Sequence, residues 1–209
     1  MSEPDLPALS SDQLDALAEV VNIGFGKASA LIAKLVDSFV TMSVPSVERL
    51  ALRDLPGRLG ALTGDRPLGV VRQSFRPDFR GEHLFVVDDD AIAVLQPLLG
   101  ATSSGQSERD LQDALLEMGN IVCGALIGKL SEVIGTRSTF SAPSILAWKD
   151  PAEKLLEGIP PGNDACILIH TSFSVEKQPV FRGFVVILLS TECLGWLGRS
   201  LDRFASGGA

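Results

Sequence analysis

Two segments of the chain repeat one pattern of apolar and polar positions. They read DALAEVVNIGFGKASALI at residues 15–32 and DALLEMGNIVCGALIGKL at residues 113–130. In both, apolar residues recur at the three- and four-residue spacing of one helix face. Each segment therefore predicts an amphipathic helix with one side in a core.

The beginning of each predicted helix is also marked in the sequence. Ser10 with Gln13 three residues later forms a capping box, so the first helix should begin near Ser11 and run to about Val36. The segment SERDL at 107–111 should begin its counterpart.

Further segments rich in β-branched and apolar residues predict strands. Two of them contain a proline, which should mark a sheet edge or a bulge because proline cannot donate to a ladder. Each half of the chain then reads as helix, strands and helix, which is typical of an α+β fold rather than of alternating βαβ units. The predicted strands are 39–52, 68–75, 83–89, 138–148, 165–175 and 181–190, and the shorter closing helices are 90–100 and 192–204.

A constant shift of 98 positions relates the two motif segments. It carries Glu19 to Glu117 and Asn22 to Asn120, and it continues without a gap beyond the helix. We predict an internal duplication, with two homologous halves at about 9–100 and 107–205 of one domain, 1–209. Since each half offers about three strands, the halves gain by sharing a sheet. The expected fold is a pseudo-two-fold-symmetric α+β domain, in which two long motif helices pack on a largely antiparallel sheet of about six strands.

A polar stripe lies along each predicted helix. Residues four, seven and eleven positions after Asp15 share its face, and the same holds for Asp113. This face should meet water or a partner, and its glycines should let another surface approach closely. The stripes are Asp15, Glu19, Asn22 and Gly26, and Asp113, Glu117, Asn120 and Gly124; the opposite faces, which we expect to pack on the sheet, are Leu17, Val20, Val21 and Ile23, and Leu115, Leu116, Met118 and Ile121.

Composition narrows the classes of function. The 209 residues are 45% hydrophobic and carry a formal net charge of −8, with scattered basic residues, so a nucleic-acid partner is disfavoured. We find neither a leader pattern nor an apolar run of about 18 residues, and expect no membrane insertion. Three cysteines and two isolated histidines indicate neither a disulfide framework nor a metal site, and we expect a cytoplasmic protein.

The chemistry of the repeated pair is specific. A carboxamide can hold a water molecule in a fixed direction without repelling an anion, and a neighbouring carboxylate can pair with a cation on a partner. This combination suits in-line attack of water on a phosphoryl group, where catalysis is mostly positioning. The alternative is that both residues are the solvated side of an amphipathic helix, which a lone Glu-x-x-Asn would favour. Repetition together with the same Asp and Pro favours a function.

The repeated pattern is Asp-x3-Glu-x2-Asn-x22-Pro. It occurs at Asp15 with Pro45 and at Asp113 with Pro143. It resembles the signature of the CheC, CheX and FliY phosphatases of bacterial chemotaxis, and nearly the whole chain shares the resemblance. Because CheX has one motif and FliY has a further C-terminal domain, for which this chain offers no length, the resemblance is to the CheC type.

The resemblance implies a function and its residues. Glu19 and Glu117 would contact the response regulator CheY, whereas Asn22 and Asn120 would orient the hydrolytic water at its aspartyl phosphate. The protein would need no cofactor or metal of its own, because the required Mg²⁺ belongs to the phosphorylated CheY-type regulator. It would be a CheY-P phosphatase.

Two alternatives stay open. One is a non-catalytic binding module similar to the middle domain of the switch protein FliM, which lacks the Glu and Asn pair. The other is a regulatory binder acting through CheY or through the receptor deamidase CheD.

Three other features have simpler interpretations. His83 and His170 read as strand residues, and Cys123 reads as packing rather than as a nucleophile. The acidic run at 88–91, which resembles a magnesium site, reads as the N-terminal cap of a helix.

Overall fold

The computed structural model describes residues 9–96, 108–163 and 165–207. Five helices and eight strands follow one another in these ranges, together with short 3-10 turns at Leu52–Asp54 and Ala152–Gly158. In chain order they are α1 Ser11–Leu35, β1 Val40–Met42, β2 Ser46–Ala51, α2 Leu55–Thr63, β3 Leu68–Arg76, β4 Gly81–Asp88, α3 Asp89–Leu95, α4 Glu108–Ile134, β5 Thr139–Phe140, β6 Ser144–Asp150, β7 Ala165–Val175, β8 Phe181–Leu189 and α5 Thr191–Ala205.

The capping box at the start of α1 is confirmed. The backbone N–H of Gln13 donates to Ser10 Oγ at 3.2 Å, and the backbone N–H of Ser10 donates to Gln13 Oε1 at 3.0 Å. Gln13 Nε2 also donates to the carboxylate of Asp202 on α5, at 3.0 Å from both oxygens. The cap therefore fixes the start of α1 against the C-terminal helix as well.

The two proline-containing segments each form two strands instead of one. The chain leaves the ladder at Pro45, between β1 and β2, and at Pro143, between β5 and β6. Both strands of each pair nevertheless bond to the same neighbour, β7 for the first pair and β3 for the second. Eight strands therefore fill six positions across the sheet, in the order β1/β2, β7, β8, β4, β3 and β5/β6. Every pairing among the described strands is antiparallel.

The two parts of the chain exchange their edge strands. β1 and β2 from the first part pair with β7 of the second, and β5 and β6 from the second pair with β3 of the first. The central pairing of β4 with β8 closes one continuous sheet. The fold is thus a single α+β domain. The duplication and its pseudo-two-fold axis stay predictions, and the predicted boundary around residues 100–107 lies outside the described residues.

The sheet is covered on both faces. Helices α1, α3, α4 and α5 share one large core cluster with the alternate residues of the central strands. A second cluster on the opposite face joins the other strand residues to α2 and to the turn at 152–158. This double covering explains why β4 and β8 are buried almost throughout.

Sequence reasoning missed helix α2, although the residues that mark its start and its end are present. Pro56 occupies the first turn, and Gly64 closes the helix with φ of 68° in the left-handed region. Proline at a helix start and glycine just past its end are the residues expected there. The segment between the strand 39–52 and the strand 68–75 therefore contains a helix that buries Leu55 and Leu59 against the sheet.

Helices α1 and α4 pack on each other where Gly24 meets Leu126. A Cβ on Gly24 would lie 3.2 Å from Leu126 Cα, so the backbones are in close contact. Both helices are long and apolar enough to cross a membrane, yet 50% and 56% of their most apolar windows are buried inside the fold. Such burial is typical of the core helices of a soluble protein, which pass the same test of length and composition.

Candidate functional site

The polar stripes lie on the exposed faces of the two long helices. Glu19 and Asn22 of α1 are exposed, and so are Glu117 and Asn120 of α4. A Cβ on Gly26 or Gly124 would meet no atom within 4 Å, so the stripe beyond each Asn is open in this structure. The helix geometry thus leaves both Glu and Asn pairs accessible to another molecule.

One residue of the predicted sheet-facing side lies elsewhere. Ile23 is 46% exposed, whereas Leu17, Val20 and Val21 are fully buried, so its expected packing on the sheet is wrong. Ile23 directly follows Asn22, and a helix turns by about 100° per residue. This places Ile23 at the rim of the polar stripe, where it adds an apolar contact surface.

A buried glutamine holds the asparagine of the second motif. Gln73 of β3 is only 2% exposed, and its Nε2 donates to Asn120 Oδ1 at 3.0 Å. The same nitrogen donates to the backbone oxygen of Ser141 at 2.8 Å. Ser141 is in turn fixed to β3, because Ser74 N donates to Ser141 Oγ and Ser141 N donates to the Ser74 carbonyl, both at 3.0 Å. We call the pair of hydrogen bonds between Ser141 and Ser74 a serine frame.

The first motif has the same serine frame, but a threonine replaces Gln73 beside it. Ser172 N donates to Ser43 Oγ at 3.0 Å, and Ser43 N donates to the Ser172 carbonyl at 2.9 Å. Thr171 of β7 occupies the place of the glutamine, and its hydroxyl donates to the Ser43 carbonyl at 2.9 Å. Within the part of the chain that the structure describes, the Asn22 side chain makes no hydrogen bond.

The frames explain the position of the motif prolines. Ser43 and Ser141 each precede the proline by two residues and bond across to the strand beside them. Pro45 and Pro143 then interrupt the ladder, and the chain resumes pairing as β2 or β6. The proline thus marks the break at which a serine frame meets the helix that carries the Asn.

Helix α4 approaches β3 through a glycine. A Cβ on Gly119 would lie 2.7 Å from Cγ1 and 2.9 Å from Cβ of Val71. Such distances do not occur in relaxed packing, so a larger residue would move the helix or the strand. This approach brings Asn120, the next residue, to the edge of β3 where Gln73 lies.

The remaining candidates have structural explanations. Burial lowers the pKa of His83 from its ordinary value to about 3, which keeps the imidazole neutral. Burial, with a smaller effect of Glu82, raises the pKa of the Cys123 thiol, and a thiol held protonated is a poor nucleophile. Asp88 caps α3 by accepting from the Ala91 backbone N–H at 2.9 Å, as expected for the acidic run.

Gln73 is the residue of the site that sequence reasoning missed. It stands in a strand of buried residues and 47 positions away from its partner Asn120. The signal that could have found it is the shift of 98, which also relates QSF at 73–75 to TSF at 171–173. Among the described residues, no three His, Cys, Asp or Glu side chains come together as a metal site would require.

Comparison with known proteins finds similarity to chemotaxis and flagellar switch proteins. No protein-family model matches it. It is 25% identical to the CheY-P phosphatase CheC of Bacillus subtilis (strain 168) over 193 residues, which are 86% of this chain and 89% of CheC. It is 23% identical to the flagellar motor switch phosphatase FliY of the same organism over 183 residues, 84% of this chain.

The fold agrees with these relatives. The crystal structure of FliY from Thermotoga maritima superimposes with a TM-score of 0.73, covering 97% of this chain and all of that one at 16% identity. The homologues named CheC and FliY, together with the FliY-like fold, support a CheC-type protein. The FliM middle domain from H. pylori superimposes less closely, with a TM-score of 0.61 over 91% of this chain and 99% of that domain at 15% identity.

These similarities differ in how much of each relative they cover and in what they show. The chain spans only 46% of the length of the curated FliY, but most of CheC. The structural likenesses, at 16% and 15% identity, show the fold alone. The fold is shared with FliY and with the FliM middle domain, so the fold by itself assigns no activity to this chain.

Proposed function

We propose that this CheC-type protein hydrolyses the aspartyl phosphate of a phosphorylated CheY-type response regulator. The observation that carries the proposal is the exposure of a Glu and an Asn, one turn apart, on each of the two long helices. Neither Glu19 nor Glu117 forms an ion pair within the described residues, so both carboxylates are available to a partner.

The asparagines act on water. The amide of Asn22 or Asn120 orients a water molecule in line with the bond between phosphorus and the regulator's aspartate oxygen. The water oxygen bonds to phosphorus as that bond breaks, and the products are inorganic phosphate and the regenerated carboxylate. A neutral amide suits this role because it does not repel the phosphoryl charge, and positioning accounts for most of the catalysis in such transfers.

The glutamates act on the regulator. A carboxylate at Glu19 or Glu117 pairs with a cationic side chain of the partner and fixes the register of docking. The open strip at Gly26 and Gly124 lets the partner surface approach the helix closely. Ile23, exposed beside Asn22, adds an apolar contact at the first site.

The names of the relatives support this assignment. CheC is described as a CheY-P phosphatase and FliY as a flagellar motor switch phosphatase. The partner proposed here is therefore a chemotaxis protein, with Mg²⁺ bound to the regulator, and CheD is proposed as a second partner. The protein itself supplies no metal or cofactor in this scheme and acts in the cytoplasm.

A second candidate is a binding module without catalysis. The likeness in fold to the FliM middle domain and to FliM crystallised with FliG favours it. Exposed apolar side chains at Phe39, Val44 and Val180 offer surface for such a role. This candidate predicts binding of the regulator without faster loss of its phosphate.

One experiment separates the two candidates. Phosphorylated CheY-type regulator from the same organism is mixed with the protein in the presence of Mg²⁺, and the decay of the phosphoryl group is followed. We expect acceleration by the wild-type protein and none by the variant carrying both Asn22→Ala and Asn120→Ala, with an unchanged circular dichroism spectrum. Binding without acceleration by the wild type would favour the binding module, and full activity of the double variant would exclude the proposed mechanism.

A further inference from the structure

Gln73 bonds to Asn120 in only one orientation. The atom of the Gln73 amide that lies 2.8 Å from the Ser141 carbonyl must be the nitrogen, because a carbonyl oxygen accepts and cannot donate. The same nitrogen lies 3.0 Å from the Asn120 side chain, so the atom it meets there must be the acceptor Oδ1. The backbone of Ser141 therefore fixes the amide of Gln73, and Gln73 fixes the amide of Asn120.

This arrangement prepares Asn120 for its partner. Oδ1 accepts from Gln73 with one lone pair and keeps the other for a proton of a water molecule, while both Nδ2 protons are left for a phosphoryl oxygen or the regulator. Asn120 is exposed, but the residue that holds it is 2% exposed and lies in the sheet. The exposed amide is therefore oriented before any partner binds.

The first site lacks this support. The hydroxyl of Thr171 has one proton, and the structure directs it to the Ser43 carbonyl at 2.9 Å. Thr171 therefore closes the serine frame without holding Asn22, which makes no hydrogen bond within the described residues. Asn22 has to be oriented during the reaction.

The hydrogen bond to the serine carbonyl does not by itself explain why position 73 carries a glutamine. Thr171 performs the same closure with a shorter side chain, whereas Gln73 buries an additional oxygen, Oε1, that has no hydrogen-bond partner in the described part of the chain. Burying a polar atom without a partner is unfavourable. The longer amide is explained by its second contact, the one to Asn120.

We infer that Gln73 is a positioning residue for Asn120, and that it makes the second motif the faster of two unequal phosphatase sites. The inference rests on the proposed function. A net hydrogen bond of ordinary strength corresponds to about 3- to 10-fold in rate when it is needed only to orient a reacting group. Loss of this hydrogen bond should lower kcat and leave KM unchanged, because Gln73 is buried and does not touch the regulator.

The test uses the whole 209-residue chain with one motif active at a time. In Asn22→Ala protein, where only the second site works, Gln73→Met removes the donor and keeps the length of the side chain. We expect kcat to fall about 3- to 10-fold with KM unchanged. In Asn120→Ala protein, the same substitution should lose its effect, since the two residues act through one bond. Thr171→Val, at the matched position, is the control and should leave kcat of the Asn22→Ala protein unchanged.

A second readout does not depend on activity. The side-chain amide of Asn120 should show a higher nuclear magnetic resonance order parameter than that of Asn22, and Gln73→Met should lower it to the level of Asn22. Unchanged order and unchanged kcat would overturn the inference while wild-type phosphatase activity stands. Equal losses in both single-site backgrounds would assign Gln73 a structural role and overturn it too, as would a higher kcat for Asn120→Ala than for Asn22→Ala protein. Absence of acceleration by the wild-type protein would instead reject the proposed function.

Discussion

Gly119 and Val71 lie in direct contact, with no room for a side chain between helix α4 and strand β3. A Cβ at position 119 would come within 2.7 Å of Val71 Cγ1. At the position 98 residues earlier, α1 carries Val21. Glycine at this position is therefore a property of the second motif, and the contact that it allows places Asn120 beside Gln73.

Gly119→Ala should destabilise the protein and slow its second site. Overpacking costs about 1–3 kcal/mol and the better helix propensity of Ala returns about 1 kcal/mol, so a net loss of up to about 2 kcal/mol is expected in urea unfolding. In Asn22→Ala protein, kcat should also fall, because α4 moves away from Gln73. Gly128→Ala is the matched control on the same helix, since its Cβ would meet nothing within 4 Å, and it should stabilise slightly. Equal stabilities of the two variants would contradict the packing argument.

Glu117→Gln should weaken docking rather than chemistry. Removing a carboxylate that pairs with a cation across an interface costs about 1.4 kcal/mol or more, which is about tenfold in affinity. In Asn22→Ala protein we expect KM for the phosphorylated regulator to rise by this factor, with kcat nearly unchanged. Glu132→Gln removes an exposed carboxylate from the same helix, outside the motif, and should have little effect. A fall in kcat at constant KM would assign Glu117 to the chemical step.

Local signals predicted much of this fold. The capping box gave the start of α1 because both of its hydrogen bonds join residues three positions apart. The hairpins β3–β4 and β7–β8 were found because their apolar runs are long and end near turn residues. In these elements the deciding interactions are local, so the sequence pattern contains them.

What was missed depends on pairing across the chain. In the sequence, Gln73 is an ordinary polar residue of a strand. Its role is visible only once β5 and β6 pair with β3 and α4 packs over that strand. The apolar side chain of Ile23 predicts packing on the sheet, but its exposure is set by where α1 contacts the layer beneath it. Contacts of this kind form between segments far apart in the chain, so no local sequence pattern contains them.

His83 should make stability depend on pH. Burial lowers its pKa from 6.5 to about 3, so between these values the unfolded chain binds a proton that the folded chain does not. Stability therefore falls as pH falls below about 6.5, by up to about 1.4 kcal/mol per pH unit. Comparing urea unfolding of wild type and His83→Leu from pH 7 to pH 4, we expect the difference to shift steadily in favour of the variant. Parallel curves would show that His83 is protonated equally in both states.

The exchange of edge strands predicts how the two halves behave when separated. Residues 1–106 alone contain β1 and β2 without β7, and β3 without β5 and β6. Exposed edges and an uncovered apolar sheet face are unfavourable, so this fragment should not fold as a monomer. The same holds for residues 107–209, and mixing the two fragments should restore the circular dichroism spectrum of the whole chain.

If the halves are homologous, the first fragment can also assemble with a second copy of itself. Its own β1 and β2 match β5 and β6 of the other half, so two copies could exchange edges and rebuild the sheet as a homodimer around a true two-fold axis. Light scattering coupled to size exclusion would then show a dimer with cooperative unfolding, and dilution would unfold it, because assembly and folding are linked by mass action. A fragment that unfolds cooperatively as a monomer, independently of concentration, would mean that each half carries a complete core. In that case the duplication would have produced two independent domains, and the bond between Gln73 and Asn120 would be a contact between neighbours rather than a consequence of shared edges.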